Sequence, residues 1–414
     1  MANSLITPSL IAKESLMQLK NSLVTGNRVH REYKKEFSGG QGDAVSIRRP
    51  VKFYTADGAT RVNQDVEEKS TSITVDQRKH VSWKFATQDL TLSVEEYSER
   101  YIKPAMITLA NTVDRSILAL YSKVWNSVGT PGSTPDSFAD VALAAQRMDE
   151  MAVGMDNRSM LANPAAGYAI AGDKLTLDSI GASGKTAYED AAIGRIAKFD
   201  LFAAQNIQNH IVGVATGTPL VNGASQNVTY ANATGNGWSQ TLNTDGWTNS
   251  TTGILKAGDV FTIAGVYAVN PVPGEGSTGK TVMPYLQQFT VLADADSGAS
   301  TGPAALTISP PIITSGAQQT VSAAPADNAA ITVLGTGGTA YPQNMGFHKN
   351  AFALVTVPLE MPDGAAFKAR ESADGLSVRV VKDYDIDADE DIIRLDVLYG
   401  VKAIYPDLAC RLWG

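Results

Sequence analysis

The sequence predicts an α+β chain that carries an inserted all-β domain, and two observations support this prediction. The first is composition: residues 213–343 hold six acidic residues, two lysines and no arginine, although the whole chain has 42 Asp and Glu and 34 Lys and Arg. The second is pattern: in the same stretch Gly, Ser, Thr, Ala and Asn separate short apolar runs such as 260–263 and 289–292. Turn residues between short apolar runs are typical of β modules, and the stretch is too apolar for disorder.

Residues 1–42 are predicted to form a helical arm. Apolar residues recur at helical spacing within residues 7–36, and Gly39 and Gly40 mark the end of the pattern. The last part of this helix, residues 28–36, is densely charged and offers little apolar surface for packing. The segment is therefore interpreted as an arm and not as part of a core.

Residues 43–90 are predicted to form an extended β-hairpin. Stretches 44–51 and 72–84 alternate in polarity, and a polar, charged segment of residues 55–69 joins them. This hairpin is either a solvated loop or an arm that reaches a neighbouring subunit. Its charged residues, the candidate inter-subunit contacts, are Arg48, Arg49, Arg61, Glu67, Glu68 and Lys69.

The strongest helical pattern covers residues 104–127. Pro104 suits the first turn of a helix, apolar residues follow at intervals of three or four, and Gly129 stops the pattern. A helix of this length would extend about 36 Å, at 1.5 Å per residue. A further helix is predicted over 136–151.

Beyond the inserted domain the sequence predicts three further strands. Residues 351–358 form a strongly apolar strand. Residues 377–382 and 392–399 form two more, joined by the acidic run 383–391, and residues 401–405 extend the last of them.

Bulk properties restrict the possible function. A net charge of −8 argues against a protein whose main task is to grip nucleic acid. The single cysteine, Cys410, excludes an internal disulfide and fits a reducing compartment. No run approaches the roughly 20 apolar residues of a membrane span, and the N-terminus lacks the pattern of a secretion signal. We therefore expect a protein made in the cytoplasm, without a membrane partner.

The sharpest chemical motif is a match to the phosphate-binding G-x-x-x-x-G-K-[ST] pattern at residues 274–281. A true phosphate loop follows a strand and opens a helix. Here Pro271 and Pro273 precede the loop, and Pro284 stands where the helix interior would be required. Nucleotide binding is therefore kept only as a remote alternative.

Two other motifs could indicate metal sites. The alternating acids of residues 383–391 resemble a calcium loop, but Ala388 and Arg394 replace the glycine and glutamate that an EF-hand requires. A loose carboxylate site and a solvated turn both stay open for this run. The four histidines share no zinc-ligand spacing. We predict no catalytic residue, no metal site and no cofactor.

Four short stretches carry a family resemblance, and they occur in order along the chain. They are residues 40–50, 253–260, 375–382 and 393–406. Together with the arm, the charged hairpin, the long helix and the charge-poor insert, they resemble the major capsid proteins of short-tailed enterobacterial phages. That family has the Hong Kong phage capsid fold with an added insertion domain.

The resemblance implies a division of the chain into capsid domains. Residues 1–42 would be the N-terminal arm, 43–90 the extended loop, 91–154 the peripheral domain with its spine helix, 155–212 and 344–365 the two parts of the axial domain, 213–343 the inserted domain, and 366–414 the C-terminal strands of the peripheral domain.

The resemblance also implies that the insert is a six-stranded antiparallel barrel with a protruding loop that contacts its counterpart in another capsomer. The matching loop, residues 231–247, contains one charged residue, Asp245. Relatives form ion pairs through this loop, whereas here Trp238 or Trp247 would make a polar or aromatic contact.

The function implied is a coat protein that forms the icosahedral shell around phage double-stranded DNA, first as a scaffolded procapsid and then as an expanded head. Its partners would be its own copies in hexamers and pentamers, a scaffolding protein and a portal protein. A weak contact with DNA is expected through Arg28, Arg31, Lys34 and Lys35. The alternative classes are a β-rich surface or adhesin-like protein and, remotely, the phosphate-loop enzyme.

Overall fold

The computed structural model describes residues 8–33, 44–53, 58–63, 66, 68–86, 98–177, 194–233, 238–272, 280–365, 367–385 and 390–414. The chain divides into two compact units. Unit 1 contains residues 1–46, 72–118 and 352–402, and unit 2 contains residues 47–71, 119–351 and 403–414.

The described helices and strands account for both units. The α-helices are α1 Pro8–Ser22, α2 Lys103–Leu118, α3 Phe138–Glu150 and α4 Pro164–Leu177. The strands are β1 Ala44–Arg48, β2 Ser70–Thr74, β3 Gln77–Ala86, β4 Ser127–Val128, β5 Arg158–Ala162, β6 Arg195–Ile196, β7 Phe199–Ala203, β8 Asn209–Ile211, β9 Gly217–Val221, β10 Gln240–Trp247, β11 Val260–Val269, β12 Val282–Val291, β13 Ala304–Ser309, β14 Ile331–Val333, β15 Ala340–Pro342, β16 Asn344–His348, β17 Phe352–Thr356, β18 Phe367–Ala373, β19 Leu376–Asp385, β20 Glu390–Ala403 and β21 Ala409–Leu412.

Unit 1 is built from α1 and α2 and a sheet in which β17, β20, β19 and β18 are neighbours and β3 pairs with β20. The predicted strands 351–358, 377–382 and 392–399 are confirmed as β17, β19 and β20. The predicted second strand of the extended hairpin divides into β2 and β3. Of these, β2 pairs with β1, and β3 runs antiparallel to β20 from Gln77 to Ala86.

The N-terminal segment is packed, which corrects its interpretation as a free arm. The helix ends at Ser22, and its apolar stripe, including Ile11 and Leu19, is buried in unit 1. Asp114 on α2 accepts hydrogen bonds from the N–H groups of Val24 and Gly26, each at 2.8 Å. The prediction failed because polarity in one segment does not reveal whether another element covers its apolar face.

The predicted long helix is shorter than its periodicity suggested. The α-helix ends at Leu118 and is followed by a 3₁₀ turn over Ala119–Lys123. In unit 2 the backbone C=O of Ser122 accepts a hydrogen bond from the Thr290 hydroxyl at 3.1 Å. Ser127 exchanges two backbone bonds with the Gln288 amide, at 2.7 and 3.0 Å. These bonds to β12 replace the bonds of further helical turns.

The predicted all-β insert forms a six-stranded antiparallel sheet that closes nearly into a barrel. Its strands follow the order β14-β11-β12-β13-β10-β9. A bridge between Leu220 and Ala330 joins the two end strands. Val221 N–H donates to Ala329 at 3.0 Å, and Asn328 N–H donates to Val221 at 2.9 Å. Phe261 and Phe289 stack at 5.7 Å in its core.

Other strands of unit 2 contact the chain where it enters and leaves the barrel. Strands β8 and β15 pair antiparallel, and this brings together the points where the chain enters and leaves the barrel. A second sheet, in the order β4-β21-β16-β5-β7-β6, carries α3 and α4 on a shared apolar core. The helix predicted over 136–151 is α3. The side chain of Ser137 caps its N-terminus in a capping box with Asp140.

Candidate assembly surface

The extended segment of residues 47–69 contacts the barrel of its own subunit. The Arg49 guanidinium lies 4.4 Å from the centre of the Trp238 ring and 3.5 Å from Asp407. Lys69 Nζ donates to the backbone oxygens of Ala231 at 2.6 Å and Ala233 at 2.9 Å. Arg49 and Lys69 were predicted to contact a neighbouring subunit. That prediction stays a prediction; in the single subunit both side chains contact residues of their own chain.

Other charged residues of the segment face solvent. Arg48 pairs with Glu68 at 2.8 Å, with side-chain exposures of 77% and 45%, and Arg61 is exposed. An exposed pair of this kind stabilises a fold by at most about 1 kcal/mol, so the pair is not needed to fix the segment. Glu67 lies outside the described residues.

Both tryptophans of the predicted protruding loop are largely buried in the single subunit. Trp247 on β10 belongs to the barrel core with 2% exposure, and its Nε1 donates to the Thr244 hydroxyl at 2.9 Å. Trp238 is 8% exposed and lies between Arg49 and Tyr230. The contact predicted for these residues stays a prediction. Burying a large aromatic ring stabilises the free subunit more than leaving the ring exposed to solvent would.

The remaining predicted contact residues are spread over the two units. Asp245 is partly exposed on β10, where it pairs with Leu220 of β9. In unit 1 Arg28 is exposed, whereas Arg31 is partly buried and donates to Asn27 at 3.2 Å. Burial lowers the pKa of Arg31, and nearby Asp374 opposes that shift. Lys34 and Lys35 lie outside the described residues.

A buried polar network, which the sequence did not reveal, joins the barrel to the rest of unit 2. Arg411 of β21 is 1% exposed and donates to the Gly258 carbonyl at 2.7 Å and to the Thr290 hydroxyl at 3.3 Å. Its guanidinium also lies 5.3 Å from the centre of the Tyr121 ring. Burial lowers the pKa of Arg411 to about 10, although Tyr121 and other neighbours oppose this shift.

His210 continues the same network. Its Nε2 lies 2.7 Å from Asp259, and its Nδ1 lies 3.0 Å from the Tyr121 hydroxyl. Asp259 also accepts the N–H groups of Gly213 and Lys256, at 3.0 and 2.7 Å. A Tyr–His–Asp arrangement resembles a catalytic relay, but His210 and Asp259 are both buried and bonded to their neighbours. The network therefore suits a structural joint.

The sequence contained one signal of this joint. Asp259 lies in residues 253–260, one of the four stretches that carried the family resemblance, although its partners are remote in sequence. No spacing rule connects Tyr121, His210 and Arg411, since they come from three separate elements.

The phosphate-loop alternative fails on geometry. Residues 274–279 lie outside the described residues, but Thr281 is followed by strand β12, where a phosphate loop requires a helix. Lys280 is 6% exposed, and its ammonium donates to the Gln319 carbonyl at 2.9 Å. In the part of the chain that the structure describes, no cluster of three or more His, Cys, Asp or Glu side chains could hold a metal ion.

Comparison with known proteins identifies the family. A family model described as P22 coat protein, gene protein 5, matches residues 1–414. The chain belongs to the P22 coat protein family. A curated relative, the major capsid protein of Acyrthosiphon pisum secondary endosymbiont phage 1, is 24% identical over 431 residues, which cover 100% of both chains.

Two solved structures align with most of the chain. A Mycobacterium phage Che8 chain aligns with a TM-score of 0.47 and 14% identity, over 94% of this chain and 90% of that chain. The mature capsid of bacteriophage PhiM1 gives a TM-score of 0.39 and 11% identity, over 89% and 81%.

Family membership confirms the tailed-phage capsid fold and the resemblance seen in the sequence. The protein is a phage major capsid protein, a structural component of the virion and not an enzyme. Within the described residues, no helix combines the length and the apolar character needed to cross a membrane.

Proposed function

We propose that this coat protein assembles first into a scaffolded procapsid and then into an expanded icosahedral head that encloses double-stranded DNA. The observation that supports this most strongly is the match of the P22 coat protein family over the whole chain. This match supports the proposal for the chain as a whole.

The proposed partners follow from this role. Copies of the chain would form hexamers and pentamers, a scaffolding protein would guide their assembly, and a portal protein would occupy one vertex. We keep the division into domains at residues 42, 90, 154, 212, 343 and 365 as part of the proposal. Contacts that repeat around a closed shell can each be weak, because their number supplies the stability.

The contact surface that we propose is the exposed part of the extended segment. Arg48, Arg61 and Glu68 present charge to solvent, while Arg49 and Lys69 fasten the segment to its own barrel. A segment held at its base with charged groups exposed is suited to reach an adjacent copy. Asp245 and Glu67 remain candidates for the same role.

The DNA contact would be weak and independent of sequence. Arg28, with Lys34 and Lys35, would supply a small basic patch in a chain whose net charge is −8. Few phosphate contacts give low affinity that falls steeply as the salt concentration rises. This suits a shell from which DNA must be released.

Electron microscopy of the overexpressed protein tests the proposal. The chain should form closed shells of one size with its scaffolding protein and irregular assemblies without it. A chain that stays monomeric under both conditions would overturn the proposal. Export of the chain to the cell surface would instead favour the adhesin-like alternative.

A further inference from the structure

A cavity of about 570 Å³ opens in unit 2 between the barrel and the extended segment. Three cationic side chains line it: Arg49, Lys52 and Lys280. The rest of the lining is largely aromatic or aliphatic and includes Trp125, Tyr230, Trp238, Val269 and Leu408. The cavity therefore combines positive charge with an apolar wall.

The positive charges of the cavity are only partly neutralised within the chain. Asp407, the acidic residue of its lining, lies 3.5 Å from Arg49. Lys280 is buried, and among the described residues its ammonium has one acceptor, the Gln319 carbonyl at 2.9 Å. An ammonium group can donate three hydrogen bonds, so one described acceptor leaves it capacity for a further partner. A buried charge without full pairing destabilises a protein.

The electrostatics of Lys280 agree with this geometry. Burial, together with the positive charge of Lys52, lowers the pKa of Lys280 to about 7. A carboxylate placed between the two lysines would reverse both effects, because opposite charge favours the protonated form. The positive charge and the lining of the cavity thus suit an anionic partner.

The size and lining of the cavity favour a peptide over nucleic acid. Aromatic and aliphatic walls suit an acidic side chain with an apolar neighbour, whereas a DNA phosphate is surrounded by sugar and water. The chain itself has more acidic than basic residues, 42 against 34. In a shell, the surface that meets this cavity most often is that of another copy.

We propose that this cavity receives an acidic side chain, together with an apolar neighbour, from a second copy of this chain. Lys280 and Lys52 would bind the carboxylate, and Trp125, Trp238 and Val269 would cover the apolar part. The inference rests on the proposed shell function and adds a specific contact to it.

Zero-length cross-linking tests the contact. Shells are assembled from equal amounts of ¹⁴N- and ¹⁵N-labelled subunits and treated with a carbodiimide, which joins an amine directly to a carboxylate that touches it. Mass spectrometry should find mixed-isotope peptides that link Lys280 or Lys52 to an Asp or Glu, in shells and not in unassembled subunits. Links from these lysines that are all within one subunit, or no links in intact shells, would overturn the proposal.

Three variants provide an independent test. Lys280→Gln and Lys52→Gln should each raise the subunit concentration required for assembly about tenfold, which corresponds to ~1.4 kcal/mol. Lys256→Gln, a barrel lysine outside the cavity lining, should leave it unchanged. Thermal melting of the subunits verifies folding, and Lys52→Gln alone suffices if Lys280→Gln fails to fold. Assembly of Lys52→Gln at the wild-type concentration contradicts the proposal, whereas failure of the wild type to form shells contradicts the proposed function instead.

Discussion

At the scale of single residues, Arg411 joins two parts of unit 2. It connects the C-terminal strand β21 to the barrel through Gly258 and Thr290 and lies over Tyr121. A buried guanidinium is costly unless its donors are used. The hydrogen bonds of Arg411 therefore fix how β21 packs against the barrel.

Replacing Arg411 by Met should destabilise the subunit by about 1–3 kcal/mol, because the Gly258 carbonyl loses its buried donor. Urea denaturation of the unassembled subunit measures this loss. The matched control is Arg195→Met, since the Arg195 side chain is 63% exposed and its loss should change stability by less than about 0.5 kcal/mol. Equal effects of the two substitutions would show that the joint adds no stability.

Asp396 has a comparable role in unit 1. It is fully buried on β20, 2.6 Å from Arg379 and 2.9 Å from Arg394. Burial by itself would raise the pKa of Asp396, but hydrogen bonds from Arg379 and Arg394 outweigh it and hold that pKa below its usual value of 3.8. The carboxylate therefore stabilises the fold above pH 3.8, and this contribution is lost as the pH falls through the lower pKa of the folded state.

Asp396→Asn should lower the free energy of unfolding by about 1–3 kcal/mol at pH 7, since Arg379, Arg394 and Arg78, which lies 3.6 Å away, lose their charged partner. The difference from the wild type should shrink as the pH falls below the unfolded-state pKa. Denaturation at pH 7 and at progressively lower pH measures both effects. A difference that does not depend on pH would contradict the assigned role of the carboxylate.

At the scale of elements, the inserted sheet is drawn together by its own hydrogen bonds. The Leu220–Ala330 bridge and the two bonds of Val221 join β9 to residues 328–330, which lead into β14. Its core residues, among them Leu242, Phe261, Phe289 and Leu306, all come from within residues 213–343.

Residues 213–343 expressed alone should therefore fold cooperatively and give a β-type circular dichroism spectrum. A shorter form that ends at residue 327 lacks β14 and the closing bonds, and it should lose the cooperative transition. Thermal melts of both forms provide the comparison. A disordered spectrum for residues 213–343 would mean that the barrel depends on contacts with the rest of unit 2.

At the scale of the whole molecule, a coat subunit must separate residues that stabilise its fold from residues that contact its neighbours. Arg49 and Lys69 belong to the first group, because they bond to residues of their own subunit. Arg48 belongs to the second under the proposed function, since its side chain is 77% exposed. The two arginines are adjacent in sequence, so they allow a direct comparison.

Arg48→Glu should change the stability of the free subunit by less than about 1 kcal/mol, because exposed pairs contribute little. Under the proposed function it should nevertheless raise the concentration required for assembly. Arg49→Glu should mainly lower the stability of the free subunit, because the substitution removes the stacking of the guanidinium on Trp238. Melting curves and assembly titrations of the two variants separate these effects. Normal assembly of Arg48→Glu would remove Arg48 from the contact surface.

The sequence by itself determined the α+β class, the inserted β domain and the capsid family. Low charge and regular turn residues marked residues 213–343, and alternation in polarity marked the stretches 44–51 and 72–84, because both signals can be seen in local sequence. The four stretches of resemblance supplied the family, which the whole-chain match then confirmed.

Only the tertiary structure decided which faces are covered. Periodicity reveals that Trp247 and α1 have apolar surface, but it does not reveal which partner element buries that surface. It could not show that α2 ends at Leu118, where bonds to β12 take over. Nor could periodicity show that Arg411 donates hydrogen bonds to the barrel. Burial and hydrogen bonding depend on residues that come together from distant parts of the chain, and a local sequence pattern does not show such contacts.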